Sequence, residues 1–265
     1  MTRAQYATIG LSILLLLVLY FGCETIPHKF RQLEKSRAIA AESADITLLQ
    51  EEAKGQLSSE QLSALLSLEQ QLEKSASDSI RAETLRQLSS QWFQLGYEPI
   101  AGAYAQQVAE LVNSAESWAI AGSTYAIGLQ KSKDETIKDF CAGRAVQAFE
   151  NAVSLAPEDL SYKVNLALVY AERPEAENPM KGIQMLLELD RNNPDQPAVL
   201  FHLGRLGIRT GQYDKAIQRL EKVLALDPSR FDAYCLLAQA YAGLGNSAKA
   251  GEYEKKCTEA NNDLN

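Results

Sequence analysis

Residues 197–262 read PAVLFHLGRLGIRTGQYDKAIQRLEKVLALDPSRFDAYCLLAQAYAGLGNSAKAGEYEKKCTEANN, and this stretch contains one pattern twice. Each residue of the first copy has a counterpart 34 residues later in the second copy. In all but one of the residue pairs given next, the two side chains are similar in size. These pairs are Leu200 with Tyr234, Leu203 with Leu237, Gly204 with Ala238, Gly207 with Tyr241, Gly211 with Gly245, and Ala216 with Ala250. The stretch therefore predicts one structural unit repeated in tandem.

The small residues of the pattern predict where two antiparallel helices approach closely. Large apolar residues three and four positions apart form a buried stripe, and the helices come near each other only between small side chains. We expect Gly204 to face Ala216, and Ala238 to face Ala250. The unit is thus predicted to be a helical hairpin.

Gly211 and Gly245 lie between the two helices of each copy, where the chain has to turn. A helix often ends at a residue with positive φ, and glycine adopts that conformation without steric cost. Pro228 marks the junction between the copies.

The period and these residues resemble the tetratricopeptide repeat, whose family forms an all-α solenoid of antiparallel helix pairs. Pro157, Pro194 and Pro228 stay in phase once two insertions are removed. The resemblance implies a solenoid over residues 77–265, with repeats at about 82–113, 115–159, 160–196, 197–230 and 231–262. The pattern departs from the family at Gly207, where a Tyr is usual, at Glu254, usually apolar, and at Asn262, usually Pro.

The two insertions fall inside the second and third repeats. Lys131 to Cys141 is a charged insertion that carries Phe140, and we expect it to lengthen both helices so that their tips project beyond the neighbouring repeats. Arg173 to Pro179 contains two prolines, which rule out a continuous helix there.

An apolar run from Ala7 to Gly22 predicts a single transmembrane helix, so residues 1–30 are interpreted as a membrane anchor and its flank. Tyr6 and Tyr20 lie where interfacial aromatic residues occur. A small-x-small cleavage site is missing from the sequence, which argues against a removed signal peptide. Lipidation of Cys23 is an alternative mode of anchoring, since Gly22 fits the residue before a lipid-modified cysteine.

The charges around this run leave its orientation open. Lys29, Arg31, Lys35 and Arg37 follow the run and favour a cytoplasmic domain by the positive-inside rule, but long domains translocate largely regardless of charge. We expect a periplasm-like location for the solenoid, as in the bacterial envelope proteins that it resembles, with the cytoplasmic face as the alternative.

Residues 31–76 predict a helical hairpin that caps the solenoid. The first helix is expected to end at Lys54 before Gly55, and Ser58 with Gln61 makes a capping box for the second. One apolar stripe follows, formed by Leu62, Leu65, Leu66 and Leu72. The alternative interpretation is a short coiled coil that pairs two chains.

Composition excludes several classes of function. The net charge of -8 argues against a nucleic-acid partner, because phosphate binding needs a basic surface. The cysteines lack CxxC spacing and stand apart from His28 and His202, so we expect no metal site. Cys235 and Cys257 fall in the two helices of one repeat, where we interpret them as small core residues rather than as a disulfide.

Sequence motifs for catalysis are missing too. The chain contains no GxGxxG, GxxxxGK[ST], HExxH or GxSxG stretch, so we expect neither a cofactor nor an enzymatic activity. An enzyme whose active site the sequence does not reveal is the weakest interpretation of the chain.

The resemblance implies that the first helices of successive repeats line a groove that binds a peptide or protein. Its positional rule places seven residues there: Phe201, Arg205, Arg209, Val164, Leu168, Asp232 and Gln239. Arg205 and Arg209 are one helical turn apart and could hold a carboxylate together, or could instead be solvated or paired with nearby acidic residues.

Some proteins of this family grip the carboxyl terminus of chaperones with a clamp of lysines and asparagines. This sequence has Ala119 and Ser123 where that clamp needs Lys and Asn, and Ala198 and His202 replace the later cations, although Asn165 is present. A chaperone adaptor of that type is therefore disfavoured.

The sequence as a whole predicts a membrane-anchored, non-enzymatic scaffold that binds a protein or peptide partner through the groove. The rival interpretation is an accessory subunit of an envelope enzyme or transport complex, which would contact its partner through residues 131–141.

Overall fold

The computed structural model describes Gln5 and residues 46–263, with side chains as far as Ala260. The predicted transmembrane run and Cys23 lie outside these residues. In the part of the chain that is described, none of the helices combines the length and the apolar character needed to span a bilayer. The chain divides between Gln56 and Leu57 into two units, which are described separately.

The first unit contributes one described helix, α1, over residues 46–54. It ends at the predicted residue, where Gly55 donates its backbone N–H to the carbonyl of Glu51. The helix surface carries an exposed ion pair between Lys54 and Glu51 at 3.3 Å.

The second unit is all-helical within the described residues. Its helices are α2 (Ser59–Glu73), α3 (Asp78–Gln94), α4 (Glu98–Val112), α5 (Ala115–Lys131), α6 (Glu135–Leu155), α7 (Leu160–Glu172), α8 (Lys181–Asn192), α9 (Pro197–Arg209), α10 (Tyr213–Leu226), α11 (Asp232–Gly243) and α12 (Ser247–Asp263). From α3 onward they pack as five consecutive hairpins in which α3, α5, α7, α9 and α11 are the first helices. This all-α solenoid is the predicted fold class.

Local sequence sets the ends of these helices. Ser58 Oγ accepts a hydrogen bond from the backbone N–H of Gln61, and the backbone N–H of Ser58 donates one to Oε1 of Gln61, so the predicted capping box is confirmed. Gly211 and Gly245 have φ of +72° and +76°, as expected for the turn inside a hairpin. The proline-containing insertion separates α7 from α8.

The core lies between the helices of each hairpin and between neighbouring hairpins. Alanines allow the helices to come together, and larger side chains fill the space between them at close packing. The largest fully buried side chains include Trp92, Tyr125, Phe149, Leu186, Leu220 and Leu237.

The close approach between α9 and α10 differs in register from the prediction. A Cβ added to Gly204 would lie 2.7 Å from Cγ of Leu220, and one on Gly207 would lie 3.2 Å from Cβ of Ala216. The predicted pairing of Gly204 with Ala216 is therefore wrong. Antiparallel helices bring together residues at nearly equal distances from their turn, and Gly207 and Ala216 lie four and five residues from Gly211, whereas Gly204 lies seven residues from it.

Gly182 marks a close contact between the backbones of α7 and α8. A Cβ at this position would lie 2.4 Å from the carbonyl oxygen of Ala167 and 2.4 Å from the backbone nitrogen of Ala171. These distances leave no room for a side chain, so α8 rests on the backbone of α7 itself.

The insertion at 131–141 lengthens its helices as predicted, and α6 has 21 residues. It is also attached to the flanking repeats. Lys131 forms a 2.7 Å ion pair with Glu98, which is only 4% exposed. Arg173 binds Glu135 and Asp139 at 2.6 Å each. The predicted projecting tip is therefore held against its neighbours.

A tyrosine in the first helix of several repeats donates a hydrogen bond to the second helix of the preceding repeat. The pairs are Tyr125 Oη with Gln106 Oε1 at 3.2 Å, Tyr170 Oη with Glu150 Oε1 at 3.2 Å, and Tyr241 Oη with Glu221 Oε1 at 2.7 Å. In the fourth repeat the position equivalent to Tyr241, 34 residues earlier, is occupied by Gly207, so this repeat lacks the tyrosine. We call the series the tyrosine ladder.

Cys235 and Cys257 form a disulfide between α11 and α12. Our interpretation of both as unlinked core thiols is therefore wrong. Each cysteine lies eleven residues from Asn246 in the turn, and this equidistance places them opposite each other in the hairpin.

Candidate functional site

A groove of about 850 Å³ runs across the first helices of three repeats, α3, α5 and α7, with part of α4 at one wall. We call it the apolar groove. Its lining residues are Arg86, Ser89, Ser90, Phe93, Ala105, Val108, Val112, Ser114, Glu116, Ser117, Ala119, Ile120, Ser123, Thr124, Ile127, Tyr162 and Asn165.

Large apolar side chains in this groove are open to solvent. Phe93 is 39% exposed, Val112 43% and Ile120 55%. Single exposed apolar residues are common on protein surfaces, but a cluster inside a groove of this volume is typical of a binding site.

The polar side chains of the groove divide into two groups. Thr124 donates to the carbonyl of Ile120 at 2.8 Å and Ser89 donates to the carbonyl of Ala101 at 2.8 Å, so their hydroxyls are already paired. Within the described residues, Ser123 and Asn165 make no side-chain hydrogen bond. A primary amide offers two N–H donors and a carbonyl acceptor, which match a peptide backbone.

Charge contributes little to the apolar groove. Arg86 is paired with Glu83 at 3.3 Å on the same helix, and Glu116 is exposed at the edge. The groove therefore offers mainly apolar contacts and hydrogen bonds.

A second cavity of about 190 Å³ adjoins the apolar groove, between α5, α7 and α9. We call it the small cavity. Ser123, Ile127 and Asn165 line both spaces. The other lining residues of the small cavity are Ala126, Leu129, Gln130, Phe149, Leu168, Val169, Glu172 and Arg205.

The predicted groove residues of the third and fourth repeats take different positions. Leu168 lines the small cavity, but Val164 is only 4% exposed, packs in the core against α8 and α9, and lines neither space. Phe201 is 7% exposed, and the Arg230 guanidinium lies 4.5 Å from its ring centroid.

The two predicted arginines of α9 do not act together. Arg209 forms an ion pair with Glu172 of α7 at 2.8 Å, which is the alternative considered from the sequence. Arg205 lies in the wall of the small cavity, and its buried Nε has no hydrogen-bond partner.

The predicted residues of the fifth repeat lie elsewhere. Asp232 is exposed and pairs with Arg230 at 3.3 Å, and Gln239 is exposed on α11. Neither lines the apolar groove or the small cavity.

Two groups outside the groove lining, His202 and Cys141, have shifted pKa values. Burial, with smaller contributions from Arg205 and Arg230, lowers the pKa of His202 to about 4, so the imidazole is neutral at neutral pH. Burial, and then the nearby Glu98, raise the pKa of the Cys141 thiol to about 12. This thiol stays protonated at neutral pH and is a poor nucleophile.

The sequence prediction missed the three exposed apolar residues of the groove. Phe93 and Ile120 each lie at an exposed position on the first helix of an early repeat, which was a usable signal. The positional rule gave residues of the later repeats, whose pattern matches the period better. Ala119 and Ser123, considered only as departures from a chaperone clamp, line the groove together with Asn165, the one residue that matches that clamp.

Comparison with known proteins agrees with this architecture. A TPR repeat model matches residues 208–245, and a tetratricopeptide repeat model matches residues 231–264. The carboxyl-terminal part of the chain thus contains tetratricopeptide repeats. None of the curated proteins matches the chain significantly.

Several solved structures are similar at low identity. One is MamA, with 21% identity, a TM-score of 0.46, and coverage of 67% of this chain and 96% of that one. A second is MamA from Desulfovibrio magneticus RS-1, with 19% identity, a TM-score of 0.47, and coverage of 69% and 96%. A third is YrrB, described as a TPR protein with an unusual peptide-binding site, with 20% identity, a TM-score of 0.41, and coverage of 74% and 93%.

Proposed function

We propose that this protein is a non-enzymatic scaffold that holds a peptide segment of a partner protein in the apolar groove. The exposed cluster of Phe93, Val112 and Ile120 inside a groove carries this proposal. Burial of these side chains by a ligand is favourable at roughly 25 cal/mol per Å² of apolar surface removed from water.

The polar wall of the groove supports a peptide as the ligand. Asn165 and Ser123 line the groove, and within the described residues their side chains make no hydrogen bond. A bound segment can place apolar side chains against the exposed apolar residues and pair its backbone amides with these polar groups.

Anchoring to a membrane through residues 1–30 is part of the proposal, with the solenoid on the periplasm-like side. The Cys235–Cys257 disulfide supports that location, because structural disulfides form and persist in oxidising compartments.

The rival interpretation places the partner on the tip at 131–141. Arg173 holds this tip in place through its ion pairs, which supports the tip as a rigid contact surface.

A photo-crosslinking amino acid placed at Ile120 in the full chain is expected to capture a partner in cells. Conversely, Ile120→Asp should weaken capture of that same partner at least tenfold, because it brings a charge into an apolar contact. Crosslinked products identified by mass spectrometry, and then binding of the purified partner to each variant, give the measurement.

Ile80 is the matched control, because it is 54% exposed on α3 and lies outside the groove lining. A crosslinker at Ile80 and the Ile80→Asp change should both leave capture of the partner unaffected. A crosslinker at the exposed Lys133 tests the rival. If only the crosslinker at Lys133 captures the partner, and the Ile120→Asp variant binds that partner normally, then the partner contacts the tip and not the groove.

The anchor is tested by fractionation. We expect the full chain to be recovered with membranes and a chain that begins at Glu34 to be soluble, since an apolar run such as Ala7 to Gly22 is costly to expose to water. Recovery of the full chain in the soluble fraction would contradict anchoring. Cys23→Ala distinguishes a lipid anchor from an uncleaved helix, because only the former needs the cysteine.

A further inference from the structure

The small cavity continues the apolar groove towards α9. Because Ser123, Ile127 and Asn165 line both spaces, a peptide in the groove can extend into the small cavity along α5 and α7. Arg205, on α9, lies at the end of this path.

Arg205 has no ionic partner in the part of the chain that the structure describes. Its buried Nε also has no acceptor, whereas buried N–H groups in native proteins nearly always have one. An arginine in this situation gains most from a carboxylate, which its guanidinium can bind through two parallel hydrogen bonds.

The other charged or titratable residues around the small cavity are already paired or are neutral, so Arg205 is the residue there that can bind a carboxylate. Glu172 also lines the small cavity, but Arg209 compensates its charge at 2.8 Å. Arg230 is engaged by Asp232 and covers Phe201. His202 is neutral at neutral pH. In a chain of net charge -8, Arg205 thus provides a local positive site at one end of an apolar groove.

We propose that the preferred ligand is a peptide segment with two features, apolar side chains that lie against Phe93 and Ile120, and a carboxylate that binds Arg205. The carboxylate can belong to an acidic side chain or to the end of a chain. This inference rests on the proposed function and adds to it a charge requirement and a direction of binding.

The test uses an array of short synthetic peptides rich in Leu, Ile, Phe, Ser and Gly. Each peptide is made in matched forms with Asp or Asn at one position, and with a free or an amidated carboxyl terminus. The full chain, solubilised in a mild detergent, is the binding protein, and affinities of the peptides that bind are measured in solution by fluorescence anisotropy.

We expect binding peptides to favour one carboxylate form over its neutral form by about tenfold, as for one charge-assisted hydrogen bond. The Asp-to-Asn comparison and the acid-to-amide comparison show which source of carboxylate is used. Arg205→Gln should remove the preference and leave affinity for the neutral peptides unchanged. Glu172→Gln should increase the preference, because it removes a like charge from the cavity.

Arg81→Gln is the matched control, because Arg81 is exposed on α3 and lines neither space. It should leave the preference unchanged. Equal affinity for the charged and neutral forms, or a preference that survives Arg205→Gln, would overturn this inference. If Ile120→Asp leaves all peptide binding intact, the apolar groove itself is refuted, whatever the result at Arg205.

Discussion

Gly182→Ala is expected to destabilise the protein by about 2 kcal/mol, although alanine is the better helix former by about 1 kcal/mol. The added methyl would lie 2.4 Å from backbone atoms of both Ala167 and Ala171. Backbone atoms cannot rotate away as a side chain can, so α8 has to move off α7. Urea unfolding of the chain that begins at Glu34 measures the change.

Gly143→Ala is the control with the opposite expected sign. Gly143 lies in α6, is exposed, and has nothing within 4 Å of an added Cβ. This substitution should stabilise the protein by about 0.5 to 1 kcal/mol through helix propensity alone. A stabilising effect at Gly182 as well would mean that α7 and α8 are further apart than the structure has them.

Replacement of Cys235 and Cys257 together by Ser should lower the free energy of unfolding by about 3 kcal/mol, because the disulfide closes a loop of 22 residues. The effect should be concentrated in α12, whose amides should lose protection against hydrogen exchange. Thermal and urea unfolding, with exchange read by mass spectrometry, provide the measurement.

A reducing agent supplies the control for this prediction. It should bring the wild-type chain to the stability of the double variant and leave that variant unchanged. Cys141→Ser should retain the full response to the reducing agent, since Cys141 is not in the disulfide. A wild-type chain whose stability ignores the reducing agent would show that the two cysteines are not linked.

The sequence predicted the hairpins because the responsible signals are local. Gly211 and Gly245 turn the chain through their own φ angles, and Ser58 and Gln61 cap a helix through neighbouring atoms. The position of each turn then determines which residues face each other, and the Cys235–Cys257 pairing could have been obtained by counting from Asn246.

The candidate site was harder to predict because its chemistry depends on residues distant in sequence. Arg209 is paired with Glu172, 37 positions earlier, and this contact alone separates its role from that of Arg205. Val164 satisfies the positional rule for the groove, but the packing of α8 and α9 buries it. A rule that assigns positions within one repeat does not include the neighbouring repeats that cover them.

The gap in the tyrosine ladder bears on how the molecule bends under load. The junctions that carry Tyr170 and Tyr241 each include a hydrogen bond to a carboxylate, a type worth about 1.5 to 3 kcal/mol, whereas an exposed pair such as Arg209 with Glu172 contributes about 0 to 1 kcal/mol. With Gly207 in place of the tyrosine, the junction between the third and fourth repeats lacks this hydrogen bond, and we expect it to bend more easily than the junctions that carry Tyr170 and Tyr241. Asn165 lies on one side of that junction and Arg205 on the other. Because Asn165 and Arg205 both line the small cavity, we expect a small rotation at this junction to change the width of that cavity, while the lining of the apolar groove, which belongs to the first three repeats, moves as one.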